Sequence, residues 1–180
     1  MKYLFLVLIA FLAPLTAKAQ TPVSKETANS YFANCVKTAS PTQGMSANGQ
    51  QMLCACTAAR LTQFFSMEDW QNMTSPSPEI ARPAYNKMLI DVYAPCMSEP
   101  TREYHYTSCM QNPSVTKLGN AQNVCNCAAD ALAQHMQYHG SSMFEKILAR
   151  EPNIADPNAA LFNDPDFQQV ATQKTMGCLK

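Results

Sequence analysis

Eight cysteines fall into two sets with the same pattern, and this pattern constrains the fold more than any other feature of the chain. Each set reads C…CxC…C: the first comprises Cys35, Cys54, Cys56 and Cys96, and the second comprises Cys109, Cys125, Cys127 and Cys178. An even number of cysteines in a small exported chain is typical of a disulfide framework. The pattern therefore predicts a small module that occurs twice and contains two disulfide bonds in each copy.

The first 19 residues have the features of a secretory signal peptide. Lys2 gives a basic start, residues 4–15 are apolar, and Ala17-Lys18-Ala19 is a small-x-small cleavage site. The apolar run is shorter than the roughly 20 residues that a membrane-spanning helix needs. We therefore expect residues 1–19 to be removed and the chain to be periplasmic or secreted, which agrees with the cysteine pattern.

The charge of the remaining chain gives no reason to expect nucleic acid or an anionic membrane as partner. Without Lys2 and Lys18, 11 basic side chains stand against 13 acidic ones, a net charge of −2. No second apolar segment approaches the length of a membrane span.

We expect two helical repeats, 20–98 and 99–180, that share one core.

The sequence around the cysteines supports a duplication. Residues 48–61 match residues 120–132 with one deletion, and both contain the CxC pair. Ser66 and Ser142 each begin a Ser-x-x-acid pattern, which is typical of a helix start. The intervals between Tyr85, Leu89, Val92 and Cys96 recur between Phe167, Ala171, Lys174 and Cys178. Three matches in the same order favour a repeat over chance.

The secondary structure is predicted to be all-α. Glycine is scarce, and runs of β-branched residues are absent. The pattern predicts helices at about 22–38, 47–65, 67–73 and 78–97 in the first copy, and at about 100–111, 118–139, 142–150 and 165–178 in the second. Residues 151–164, which contain two prolines, are predicted to form a loop insertion.

Several helix ends are predicted from cap residues. Thr21-Pro22, Ser77-Pro78 and Asp164-Pro165 each place a capping residue before a proline at the first helical position. Gly140 is predicted to end the long helix that begins at about residue 118.

The two cysteines of a CxC pair point in different directions on a helix, because residues two apart differ by about 200°. In the first copy the second helix has an apolar stripe at Leu53, Thr57, Leu61 and Phe64, and Cys54 and Cys56 lie at its two edges. Four cysteines allow three pairings. The simplest model bonds Cys35 to one member of the pair and Cys96 to the other.

Two other roles compete with structural disulfides. A CxC pair can act as a redox couple, although redox cysteines usually lie at an exposed helix N-terminus. Reduced CxC with methionine would also suit a soft ion such as Cu(I). His135 and His139 form an HxxxH pair that can contact one metal ion from a helix. Because His135 aligns with Phe64 in the apolar stripe, we favour a partly buried core histidine over a metal ligand.

No catalytic signature is present in the sequence: there is no G-x-S-x-G elbow, P-loop or dinucleotide-binding glycine pattern. The sequence therefore favours a protein without enzymatic activity or cofactor that binds a protein partner in the periplasm or outside the cell, as an inhibitor, adaptor or assembly factor. One alternative is a carrier with an apolar cavity between the two modules. A second is a soft-metal (copper) binding protein that uses CxC, methionine and HxxxH.

Overall fold

The computed structural model describes residues 20–38 and 45–179, and this part of the chain is almost entirely helical. The helices are α1 (Lys25–Thr38), α2 (Ala47–Phe64), α3 (Met67–Met73), α4 (Pro78–Lys87), α5 (Ser98–Gln111), α6 (Pro113–Thr116), α7 (Ala121–Arg150), α8 (Pro157–Phe162) and α9 (Pro165–Gly177). A π-helical segment, Met88–Tyr93, and a 3-10 turn, Ala94–Cys96, continue α4. The all-α prediction is confirmed. The predicted signal peptide, residues 1–19, lies outside the described residues.

All eight cysteines form disulfide bonds, and the bonds join helices. The pairs are Cys35–Cys54, Cys56–Cys96, Cys109–Cys125 and Cys127–Cys178. In each set the first cysteine bonds the first member of CxC, and the last cysteine bonds the second member. This confirms the disulfide-bonded helical bundle and the simplest pairing model. The duplication itself stays a prediction, which the matching pairing supports.

The apolar stripe of α2 is buried as predicted except at its C-terminal end. Leu53, Thr57 and Leu61 are buried, but Phe64 is 46% exposed and stacks under the Arg60 guanidinium, 4.2 Å from the ring centroid. Phe65 takes its place in the core. The helix ends at Phe64, and the extended backbone of the next residue carries the Phe65 ring inward. The prediction of Phe64 as a core residue is therefore wrong, because Phe65 fills that place in the core.

Pro95 explains why side chains of α2 and α7 donate hydrogen bonds to the backbone of the π-helical segment. Pro95 has no N–H, so the carbonyls of Asp91 and Ile90, four and five residues earlier, lose a helical donor. Arg60 donates to the Asp91 carbonyl from Nε at 3.2 Å and from Nη2 at 2.7 Å. The Ser141 hydroxyl donates to the Ile90 carbonyl at 2.8 Å. Side chains of α2 and α7 thus satisfy both carbonyls.

Helix α7 is continuous, which corrects two predictions. Gly140 does not end a helix, and Ser142 does not begin one; the Ser142 hydroxyl instead donates to the His139 carbonyl at 2.9 Å. Gly140 serves a close contact between helices. A Cβ at this position would lie 2.8 Å from the Ala94 carbonyl oxygen of the 3-10 turn. Glycine is therefore needed here for space, not for a turn.

Two further boundaries differ from the predictions. Pro22 does not begin α1, because residues 21–23 run in extended form beside Phe65 and Ser66. The helix begins at Lys25, and the Ser24 hydroxyl accepts from the Thr27 N–H at 3.1 Å. The predicted loop 151–164 contains α8. In contrast, α9 begins at Pro165 as predicted, and α3 shows the complete capping box that its sequence indicates.

The two halves of the chain share one main core and meet at the N-terminus of α2. The core cluster contains residues from both halves, among them Leu61 and Val92 from the first and Phe144 from the second. The Glu103 carboxylate of α5 accepts from the Ser46 N–H at 2.9 Å and from the Ser46 hydroxyl at 2.9 Å. An acidic group is favoured there because the first N–H groups of a helix lack partners.

Candidate binding groove

An open groove of about 350 Å³ runs along the outer side of the antiparallel helices α1 and α2. The described residues that line it all come from these two helices: Lys25, Ala28, Asn29, Phe32, Ala55, Ala58, Ala59 and Thr62. This lining is predominantly apolar, and Lys25 is the one charged residue among them. The groove is therefore an open, mainly apolar surface of the helix pair.

The groove exists because the side chains on one face of α2 are small. Ala55, Ala58 and Ala59 recur at the three- and four-residue spacing that places residues on one helical face. Each presents only a methyl group, so the floor stays low while the ring of Phe32 forms part of the opposite wall. The main apolar stripe of α2 faces the core instead. The helix therefore has a large-residue face turned inward and a small-residue face on the other side, where Ala55 and Ala59 are exposed and Ala58 is buried.

Two exposed apolar side chains extend this face beyond the groove. Val36 lies one turn after Phe32 on α1 and is 42% exposed, and Met52 lies one turn before Ala55 on α2 and is 46% exposed. The helices are antiparallel and are joined near this end by the Cys35–Cys54 bond. Both side chains therefore belong to the same end of the α1–α2 pair. We call this surface, with the groove residues, the α1–α2 face.

The corresponding face of the second set is polar. Counted from the first cysteine of each set, Arg102 and Glu103 occupy the positions of Ala28 and Asn29. The Arg102 Nε lies 2.6 Å from a carboxylate oxygen of Asp130 on α7. Glu103 contacts the N-terminus of α2. The apolar groove is therefore a property of the first set and not a general result of the disulfide pattern.

A mainly apolar cleft of about 340 Å³ lies between α4 and residues 152–155, and so between the two predicted repeats, where the hypothesis of a ligand carrier puts its cavity. Two further clefts contain more polar groups. One of about 430 Å³ lies between the first set and the start of α8, and its lining includes Tyr31, Tyr93 and Asn158. The Tyr93 hydroxyl donates to Asn158 Oδ1 at 2.8 Å, and burial raises the pKa of Tyr31 to about 12. Both phenols are therefore neutral near pH 7. Its lining mixes polar and apolar groups and differs from the apolar cavity that the carrier hypothesis expects.

The other cleft, about 330 Å³, lies between α5 and α9 and contains His105. The His105 Nε2 is 3.1 Å from the Thr175 hydroxyl oxygen. That hydroxyl donates its proton to the Ala171 carbonyl at 2.9 Å, so His105 must be the donor to Thr175. In a catalytic pair, by contrast, the histidine accepts the proton of the hydroxyl nucleophile. This geometry indicates a structural contact.

The predicted metal ligands are neighbours on the surface of α7. The rings of His135 and His139 have centroids 4.6 Å apart and planes tilted by 36°. His135 is half-buried and His139 is exposed. No third histidine, cysteine or carboxylate joins them into a three-ligand cluster in the described part of the chain. The CxC sulfurs are disulfide-bonded, so no thiolate is present in this bonding state.

Sequence reasoning did not identify the α1–α2 face, although a signal was present. The alanines at 55, 58 and 59 form a second periodic pattern on α2, on the side away from the large apolar residues. This second pattern is what predicts an apolar groove on that side of α2.

Comparison with protein-family models, curated proteins and solved structures finds no match for this chain. Among residues 20–38 and 45–179, no helix is long and apolar enough to cross a membrane. The four disulfide bonds are compatible with an oxidising compartment. The geometry of the chain is therefore the basis on which its function is proposed below.

Proposed function

We propose that the chain is an exported, disulfide-bonded scaffold that binds an amphipathic helix of a second protein on the α1–α2 face. The observation that carries this proposal is the alanine-floored groove between α1 and α2, continued by exposed Val36 and Met52. Contiguous apolar surface outside the core of a small protein is typical of an interaction site. The compartment is the periplasm or the outside of the cell, as the leader sequence indicates.

The groove favours a helix as its occupant. Helix-in-groove recognition uses apolar side chains at i, i+3 or i+4, and i+7, which insert into a groove between helices. The low floor at Ala55 and Ala59 leaves room for a side chain as large as leucine or phenylalanine. Lys25 at the rim favours an acidic residue at the corresponding end of the partner helix.

The disulfide pattern supports a binding role through rigidity. The Cys35–Cys54 and Cys56–Cys96 bonds connect both sides of α2 to neighbouring helices. A surface that keeps its shape before binding loses less conformational freedom when the partner arrives. The rigid helix pair is therefore suited to an adaptor, inhibitor or assembly factor.

The test uses a displayed library of amphipathic helical peptides, selected against the full oxidised chain. Two variants serve as additional targets: Ala59→Arg fills the groove, and Ala149→Arg places the same side chain at an exposed alanine of α7. We expect selected peptides to bind the parent chain and Ala149→Arg equally, and to bind Ala59→Arg at least about tenfold more weakly, because an arginine displaces the apolar contact.

Either of two results would contradict the proposal. One is the selection of no peptide whose binding to the parent chain exceeds background. The other is a set of peptides that bind Ala59→Arg as tightly as the parent chain, which would place their site elsewhere. Circular dichroism on both variants establishes that the helical fold is intact.

A further inference from the structure

We propose that His135 and His139 together bind one divalent copper or nickel ion on the surface of α7. The pair lies outside the α1–α2 face, so this site is independent of the partner-binding proposal. The two residues are four apart on a continuous helix, which places both imidazoles on the same side.

The separation of the rings fits two ligands at a right angle. A metal ion about 2.0 Å from an imidazole nitrogen lies about 3.2 Å from the ring centroid. Two such rings at a metal angle of 90° have centroids about 4.5 Å apart, whereas a tetrahedral angle requires about 5.2 Å. The observed distance is 4.6 Å. Square-planar or tetragonal geometry is typical of Cu²⁺ and Ni²⁺, so the pair suits these ions better than Zn²⁺.

The surroundings leave coordination positions open to solvent. His135 is half-buried and His139 is exposed, so water can fill the positions that the two imidazoles leave. Lys174 on α9 is a charged group close enough to act on His135, and its positive charge opposes binding of a cation.

The experiment titrates Cu²⁺ into the full oxidised chain at pH 7.5, in a buffer that does not chelate metals, with calorimetry and electron paramagnetic resonance as readouts. We expect one ion per chain and nitrogen hyperfine structure from two imidazoles. His139→Gln, at an exposed position, should weaken binding at least about tenfold and leave one imidazole in the spectrum. Both Ni²⁺ and Zn²⁺ should bind more weakly than Cu²⁺.

Two controls are available in the chain. His105→Gln removes the histidine that bonds Thr175, and we expect it to leave Cu²⁺ binding unchanged. Lys174→Gln removes the opposing charge and should strengthen binding by about threefold to tenfold. The proposal is overturned if the double variant His135→Gln/His139→Gln binds Cu²⁺ as tightly as the parent chain, or if His105→Gln weakens binding as much as His139→Gln does.

Discussion

Replacing Gly140 with alanine tests the close approach of α7 to the 3-10 turn. Two effects of opposite sign act on this variant. Alanine is favoured over glycine inside a helix by about 1 kcal/mol. However, the new Cβ would lie 2.8 Å from the Ala94 carbonyl oxygen and 3.3 Å from Met136 Cε. Real Cβ atoms do not approach backbone oxygen this closely, so the helices must move apart.

A control variant separates the steric cost of the new methyl group from the gain in helix propensity. Inserting a methyl group into a well-packed interior costs about 1–3 kcal/mol. Gly177→Ala in α9 is the matched control, because its Cβ would meet no atom within 4 Å. The control experiences only the gain in helix propensity, which is at most about 1 kcal/mol. We therefore expect Gly140→Ala to have a free energy of unfolding about 2 kcal/mol below that of Gly177→Ala.

Thermal and urea unfolding under non-reducing conditions measure this difference. For a chain of this size, 2 kcal/mol corresponds to a gap of about 4–8 °C between the two melting temperatures. Equal stabilisation by both substitutions would refute the argument, since it would mean that α7 and the 3-10 turn have room for a methyl group between them.

Three other predictions concern a disulfide bond, a side-chain contact and a pH effect. Replacing Cys127 and Cys178 with serine opens a loop with a sequence separation of 51, and should lower the free energy of unfolding by about 4 kcal/mol in urea titrations. Arg60→Met keeps most of the side-chain volume but removes the two N–H groups that donate to the Asp91 carbonyl. It should lower the free energy of unfolding by about 1–3 kcal/mol in the same assay. An unchanged free energy of unfolding would show that the carbonyl finds another donor. Burial lowers the pKa of His105, so on acidification the unfolded chain protonates this imidazole at a higher pH than the folded chain does. The free energy of unfolding should therefore fall as the pH decreases from about 7 through 6.5. His105→Gln should make this pH dependence weaker.

The sequence predicted those features that depend on local chemistry. The capping box of α3 and the start of α9 at Pro165 follow from side chains within three residues of the helix end. The angle between the two cysteines of CxC predicted that Cys35 and Cys96 bond different members of the pair, and the structure shows which member each one bonds. These features need no knowledge of the distant chain, because the interacting groups are close in sequence or fixed by helical geometry.

The features that sequence reasoning missed depend on tertiary contacts. Gly140 has the composition of a helix stop, but its actual role is set by the Ala94 carbonyl, which lies on a different helical segment. Phe64 and Phe65 are equally apolar, and the choice of which one is buried depends on where α2 ends against the extended residues 21–23. In both cases a local pattern was compatible with two structures, and packing selected one of them.

Side chains at equivalent positions explain why the groove is found in the first set. In the second set, Glu103 of the first helix contacts the N-terminus of α2. In the first set, the corresponding position is Asn29, which lines the groove. Within the described residues only α1 and α2 line that face.

A small protein seldom leaves a contiguous apolar face open to water unless a partner covers it. The second set has a polar version of this face, with Arg102 paired to Asp130. The first set has Phe32 beside an alanine floor instead. Retaining apolar groups there carries a risk of aggregation, and the partner helix that we propose would remove this risk by covering them.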